Sequence, residues 1–179
     1  MATALAGSHT GTAQGAFIFF DLETTGLSPH GDRIIEIAGL RVAAGGRIAG
    51  RFHQLIRIDV PVPPFITSIT GITDDMLQDQ EPIETTLPRF IDFVEDLPLV
   101  AYNVSFDMGF LGAAAKRLRL KLKNAPVCAL QVARRKLPDL ANHKLATVAR
   151  HLGVRRDQTH RALDDCEMGL RVFATLMRA

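Results

Sequence analysis

Tryptophan is absent from the 179 residues, tyrosine occurs once and cysteine twice. Cys128 and Cys166 lie far apart and no short Cys/His spacing accompanies them. That excludes a disulfide framework and a thiolate zinc site, and leaves two free thiols expected to be buried. Long apolar runs are missing too, since none approaches the roughly 18 residues of a membrane span. The N-terminus has neither the basic start nor the apolar core of a signal peptide. The expectation is a soluble, cytoplasmic protein of a reducing compartment with no membrane partner. An excess of charge of one sign is also lacking: 21 Lys+Arg face 19 Asp+Glu, and the net +2 is too small to name a partner.

What is present suits a globular domain. Hydrophobic residues make up 47% and charged residues 22%, far from the composition of a disordered chain. A chain this long buries roughly two-thirds of the surface its unfolded form exposes, so it folds without a staple and any metal would serve chemistry. The balanced charge conceals two opposite halves. Residues 1–110 carry 6 Lys+Arg and 14 Asp+Glu, whereas residues 111–179 carry 15 and 5. Such asymmetry hints at contact with a polyanion, although on charge alone a solvated helical face is the simpler explanation.

Residues 1–15 are small and polar without apolar periodicity and read as a flexible tail, which leaves 16–179 as one domain. Strands are expected at Ala16–Glu23, Arg33–Val42 and Arg47–Ile58, joined by turn-rich segments short enough to imply antiparallel neighbours. A proline-rich crossing, Val60–Pro64, leads to a short helical region with Thr67–Gly71. Residues Pro82–Glu95 then show helical spacing at Ile83, Leu87, Phe90, Ile91 and Val94. Leu97–Tyr102 reads as a buried strand, followed by helices at Phe106–Leu120, Val127–Lys136, Lys144–Leu152 and Arg161–Met177. A strand-rich half before a helix-rich half predicts one α/β domain. Its mixed sheet holds three antiparallel strands plus parallel strands, flanked by helices.

Three groups of acids stand out against this layout. Ala16-Phe-Ile-Phe-Phe20 runs directly into Asp21-Leu-Glu23. Residues two apart on a strand share a face, so both carboxylates project together from a strand end. They are either solvated turn residues or, if buried, acids that need a cation. Thr24-Thr25-Gly26 behind them gives a tight turn with close backbone access. Asn103 ends the next strand and Asp107 falls in the following helix's first turn, on the face of Leu111, Ala114 and Leu118. Taken alone, Asp107 reads as an acid stabilising a helix N-terminus by up to about 1 kcal/mol. In Thr159-His-Arg-Ala-Leu-Asp-Asp165, five residues of helix rotate by about 500°, so His160 and Asp165 cannot share one helical face. A helix starting near Arg161 would let them reach a common point from different directions. Taken alone, His160 is a structural hydrogen-bonder.

Together, Phe19-Phe20-Asp21-Leu22-Glu23-Thr24-Thr25-Gly26, Asn103-x-x-Phe106-Asp107 and His160-Arg161-Ala162-Leu163-x-Asp165 resemble the three motifs of the DEDDh 3′–5′ exonucleases, in order. The likeness is to the epsilon proofreading subunit of bacterial DNA polymerase III and the exonuclease domains related to it, and spans Ala16 to Met177. It implies an RNase H-like fold. It assigns Asp21, Glu23, Asp107 and Asp165 as ligands of two divalent cations, Mg²⁺ or Mn²⁺, and His160 as general base. Substrate contacts fall to Thr24, Thr25, Gly26, Leu27, Gly71, Ile72, Asn103 and Phe106. The implied activity is hydrolysis of phosphodiester bonds at the 3′ end of single-stranded or frayed DNA, including proofreading, with a DNA polymerase or other replication or repair protein as partner. Alternatives are a 3′–5′ exoribonuclease of the RNase T or oligoribonuclease kind and a catalytically idle nucleic-acid-binding module. Tyr102 and Thr70 depart from the histidines common in relatives at those positions. The chain ends 14 residues after Asp165, which leaves a stand-alone exonuclease, a partner through another surface or an excised domain as expectations. The basic excess at Lys116, Arg117, Arg119, Lys121, Lys123, Arg134, Arg135, Lys136, Arg155 and Arg156 is a candidate track for a phosphate backbone.

Overall fold

The computed structural model describes residues 15–154 and 159–178, so residues 1–14 of the expected tail and the basic pair Arg155–Arg156 fall outside the described residues. Five strands, β1 (Phe17–Thr24), β2 (Ile34–Val42), β3 (Ile48–Leu55), β4 (Leu99–Ala101) and β5 (Pro126–Cys128), form one sheet in the order β3-β2-β1-β4-β5. The first three pair antiparallel, and β4 and β5 continue the sheet in parallel, which is the mixed sheet expected. Among the described residues seven helices accompany the sheet: α1 (Pro64–Thr70), α2 (Asp74–Leu77), α3 (Ile83–Val94), α4 (Val104–Arg117), α5 (Ala129–Lys136), α6 (Leu145–His151) and α7 (Ala162–Arg178).

Alternation along β1 divides the core into two layers. Phe17 and Phe19 pack with α5, α6 and α7, whereas Ile18, Phe20 and Leu22 pack with α3 and α4. The amphipathic spacing of α3 is the one expected, with Leu87, Phe90 and Val94 buried on that second face. A smaller apolar group of Ile35, Val62, Ile72 and Leu77 seats α1 and α2 beside the sheet.

Several elements depart from the sequence pattern, and the strands β3 and β4 are shorter than expected. Residues Pro126–Cys128 form a strand paired to β4 where a helix from Val127 was expected, because three residues are too few to show a two-residue period. The one-turn helix α2 was not anticipated, although Thr73 caps it by accepting the Met76 N–H, a recognisable start signal. Helix α4 starts two residues earlier than expected and ends at Arg117, with Arg119 in a left-handed conformation. Of the two thiols, Cys166 is buried as expected and Cys128 only half-buried.

The approach of α7 to β1 positions the site. Gly169 makes it possible, since a Cβ there would lie 2.6 Å from the ring of Phe19, itself enclosed by Phe173 and the helices. Gly169→Ala is therefore expected to destabilise the domain by about 1–3 kcal/mol despite the better helix propensity of alanine, because overpacking outweighs propensity. Urea denaturation measures it. An unchanged or raised midpoint would show that the ring yields freely.

Candidate active site

The end of β1 explains why acids gather here. Phe17, Phe19, Asp21 and Glu23 share the face toward α7, so the two carboxylates continue a core stripe. On the β4 side, pairing covers only Ile18 and Phe19, and β1 outruns its parallel partner. The Ile18 N–H points to this side, where it donates to the Pro98 carbonyl, and by the two-residue period so does the Leu22 N–H. Past the end of β4 the chain turns at Asn103 into α4, whose first turn brings the buried Asp107 into the cleft that Asp21 and Glu23 also line. The site thus lies at the carboxyl ends of β1 and β4, where antiparallel and parallel halves of the sheet meet.

Helix α7 supplies the third element. Asp165 lies in its first turn, and its ligand oxygen and those of Asp21 and Glu23 lie within 4.8 Å of one another. Asp107 stands outside that trio but lines the same cleft of about 540 Å³, together with Asn103, Phe106 and His160. His160 sits at the mouth before α7, exposed, with φ +51°, a left-handed conformation that costs a non-glycine residue about 1–2 kcal/mol.

Burial and mutual repulsion dominate the electrostatics. Burial first, then the charges of Asp107, Glu23, Asp165 and Glu36, hold the Asp21 carboxyl well above the usual carboxylate range. Burial, then Asp165, Glu36 and Asp107, pushes Glu23 up to about 8. Burial lifts Asp107 to about 7 against the stabilising N–H groups of its own backbone and Leu22. Carboxylates raised by enclosure and like charge are short of a positive partner. Hard oxygen donors arranged in this way fit a divalent cation of the Mg²⁺ class.

The remaining expected contacts divide. Asn103 and Phe106 line the cleft, and the Phe106 ring leans on Phe110 at 5.0 Å. Leu27 stands 84% exposed on the loop beyond Gly26. Thr24 and Thr25 are buried and spend their hydroxyls inside the turn: Thr24 donates to the Gly26 carbonyl, and Thr25 donates to Asp32 and accepts from the Arg33 N–H. Gly26 lies against the Asp32 carboxylate, 2.5 Å from where a Cβ would stand. Gly71 ends α1 at φ +70°, and Ile72 is fully buried in the third apolar group, so it offers no surface to a ligand. Thr70 is likewise structural, its hydroxyl donating to Ile66 and accepting from the Ile72 N–H. Tyr102 lines the cleft and donates to the His143 carbonyl. Of the basic residues expected to form a track, Arg134 lines this cleft, joined by Lys144, while Arg117, Lys121 and Lys123 line depressions elsewhere.

Glu36 is the charged residue that the motifs pass over. It pairs across the sheet with Glu23 and is fully buried. Burial works to raise its carboxyl, but bonds from His53, Arg161 and the Ala162 N–H outweigh it and hold the group at about 2. A lone acid inside Ile34-Ile-Glu-Ile-Ala38 was the available signal.

Each of Asp21, Glu23 and Asp107 binds its proton more tightly in the folded chain than in the unfolded one. Their contribution therefore favours folding below the ordinary carboxylate range and is lost as pH rises through the folded values, about 7 for Asp107 and about 8 for Glu23. In metal-free buffer the melting temperature is expected to fall between about pH 5 and pH 8, and saturating Mn²⁺ to cancel that fall. Asp107→Asn should lessen it. A flat profile without metal would contradict the crowding.

Comparisons with known proteins agree with this geometry. Residues 18–173 match the RNase_T family, described as exonuclease. A DNA polymerase III of PolC type from Caldanaerobacter subterraneus is 35% identical over 171 residues, covering 96% of this chain and 12% of the polymerase. The Listeria welshimeri protein of that type is 40% identical over 160 residues, covering 89% and 11%. The chain thus spans about a tenth of the length of these relatives. Among solved structures, exonuclease X in complex with 5′ overhanging duplex DNA superposes with a TM-score of 0.72 at 27% identity, covering 90% of this chain and 91% of that one. E. coli exonuclease I in complex with a dT13 oligonucleotide superposes at 0.80 with 21% identity, covering 93% and 41%, a likeness of fold. The fold is RNase H-like, with its carboxylates where β1 outruns β4, and the chain belongs to the exonuclease family.

Proposed function

We propose that the domain is a divalent-metal-dependent 3′–5′ exonuclease acting on single-stranded or frayed DNA ends, in the manner of a proofreading domain of a PolC-type polymerase in the cytoplasm. The observation that carries this reading is the convergence of Asp21, Glu23 and Asp165 within 4.8 Å, in a cleft that His160 also lines. Asp21, Glu23, Asp107 and Asp165 would hold two Mg²⁺ or Mn²⁺ ions. When bound, the cations supply charge neutralisation and Lewis-acid polarisation of the phosphodiester oxygens.

The chain's own residues do the rest. His160 takes the proton of the attacking water as the new P–O bond forms and the bond to the upstream O3′ breaks, releasing a nucleoside 5′-monophosphate. Its exposed position at the mouth lets it pass that proton to solvent. Phe106 offers a ring face to the terminal base and Asn103 a polar edge beside it. Arg134 and Lys144, which also line the cleft, would receive phosphates of the preceding nucleotides. Preference for DNA over RNA rests on the kinship with DNA polymerases.

A 5′-labelled single strand incubated with Mg²⁺ tests the reading. A descending ladder from the 3′ end is expected, lost with EDTA, reduced about 10²- to 10⁴-fold by His160→Ala, and abolished by Asp21→Ala. Immediate release of the labelled nucleotide would reverse the polarity, and faster loss of an RNA strand would reverse the sugar preference. Lys144→Ala should weaken strand binding and lower its salt dependence by about one phosphate contact. An unchanged salt slope would remove Lys144 from the strand's path.

A further inference from the structure

One carboxylate ties the two sides of the site together, and no motif contains it. Glu36, on β2, accepts from the Arg161 guanidinium at 2.8 Å (Nη2) and 3.2 Å (Nε), from the Ala162 backbone N–H at 2.9 Å, and from His53 Nε2 at 2.7 Å. Ala162 opens α7, so its N–H is one of the donors that a helix start leaves without an intrahelical partner. The cap that satisfies it comes from a strand 126 residues earlier in the chain. Arg161 and Ala162 are thus both fastened to one fully buried group. His160 is the next residue back, in a left-handed conformation that only its surroundings can maintain.

The same tether reaches the metal side. The Arg161 carbonyl accepts the Asp165 N–H at 2.9 Å, so the anchored residue also begins the turn that carries Asp165. Glu36 stands directly opposite Glu23 in the β1–β2 register, which sets the anchor point on the strand next to the β1 carboxylates. Two like charges facing each other across a sheet are unfavourable unless one is compensated. The bidentate guanidinium and the helix N–H supply that compensation.

We propose that Glu36, acting through Arg161 and the Ala162 N–H, is the positioning residue that holds His160 at the mouth of the cleft in register with the carboxylates of β1. Glu36 touches no reacting atom, and Arg161 serves it as a clamp. The inference rests on the exonuclease reading for His160.

The test is a double-mutant cycle on the whole chain with a labelled single strand and saturating Mg²⁺, pairing Arg161→Ala with His160→Ala. Arg161→Ala is expected to lower kcat by about 10- to 100-fold while KM changes by less than about threefold. In the His160→Ala background the same substitution should cost less than about twofold, because the group it positions is gone. Arg161→Lys should recover part of the loss, since one N–H bond replaces the fork. A readout independent of turnover comes from the metal-free protein. Amide exchange of residues 159–166 should quicken in Arg161→Ala and in Glu36→Gln while the C-terminal half of α7 keeps its protection. If Glu36→Gln fails to fold, Arg161→Ala, which changes a side chain 31% exposed, carries the test. An equal loss in both backgrounds, a loss carried by KM, or unchanged exchange overturns the proposal. An inactive wild-type chain would instead refute the exonuclease reading, and the exchange measurement would still decide whether Glu36 fixes this segment.

Discussion

Carboxylates repel one another, and enclosure makes the repulsion expensive; this constraint organises the molecule. Asp21, Glu23 and Asp165 are held within 4.8 Å by a strand and a helix. Asp107 reaches the same cleft from a second helix. Left to itself, such a group would open. It stays closed because the elements behind it are packed too well to part: Phe17 and Phe19 against Phe173, and Ile18 and Phe20 against α3 and α4. Gly169 sets the distance between α7 and β1, and Glu36 fixes the start of α7 to β2. The core maintains an arrangement of charge that a bound proton or cation relieves.

The topology gives that arrangement its place. A strand with an antiparallel neighbour along its length and a parallel one along only part of it presents unpaired backbone at one edge, beside side chains that still follow the core stripe. Leu22 illustrates the junction. Its side chain packs in the core, while the residue also lines the cleft beside Asp21, Glu23 and Asp107, beyond the end of β4. The match to the exonuclease family spans residues 18–173 and so includes this junction and its cluster of Asp21, Glu23 and Asp165.

Much of this was legible in the sequence because it depends on short-range periodicity. Asp21 and Glu23 follow four apolar residues on a two-residue period, and Asp107 shares a helical face with Leu111 and Ala114, both buried. His160 lies outside α7 because five residues cannot bring it onto the face of Asp165, and the helix does start two residues later. Long-range packing was not legible. Gly169 looks like an ordinary glycine in a helix until the Phe19 ring is seen beneath it. Glu36 looked like one more acid in the acidic half, although its partners lie 17 and 125 residues away. Thr24, Thr25 and Ile72 are ligand contacts by the resemblance alone, and their burial in a turn and in the core is not visible in a motif. The basic half proved a poor guide: Arg134 reaches the cleft, whereas Lys121 and Lys123 sit near Asp92, Glu95 and Asp96.

The central claim is that these carboxylates form a cation site whose members give up protons when it fills. Calorimetric titration of Mn²⁺ near pH 7, repeated in buffers of different ionisation enthalpy, measures the ions bound and the protons released together. Two ions per chain with roughly one or more protons released is the expected result, with the release shrinking as pH rises toward 9. Absence of binding, or binding without proton release at neutral pH, would contradict it.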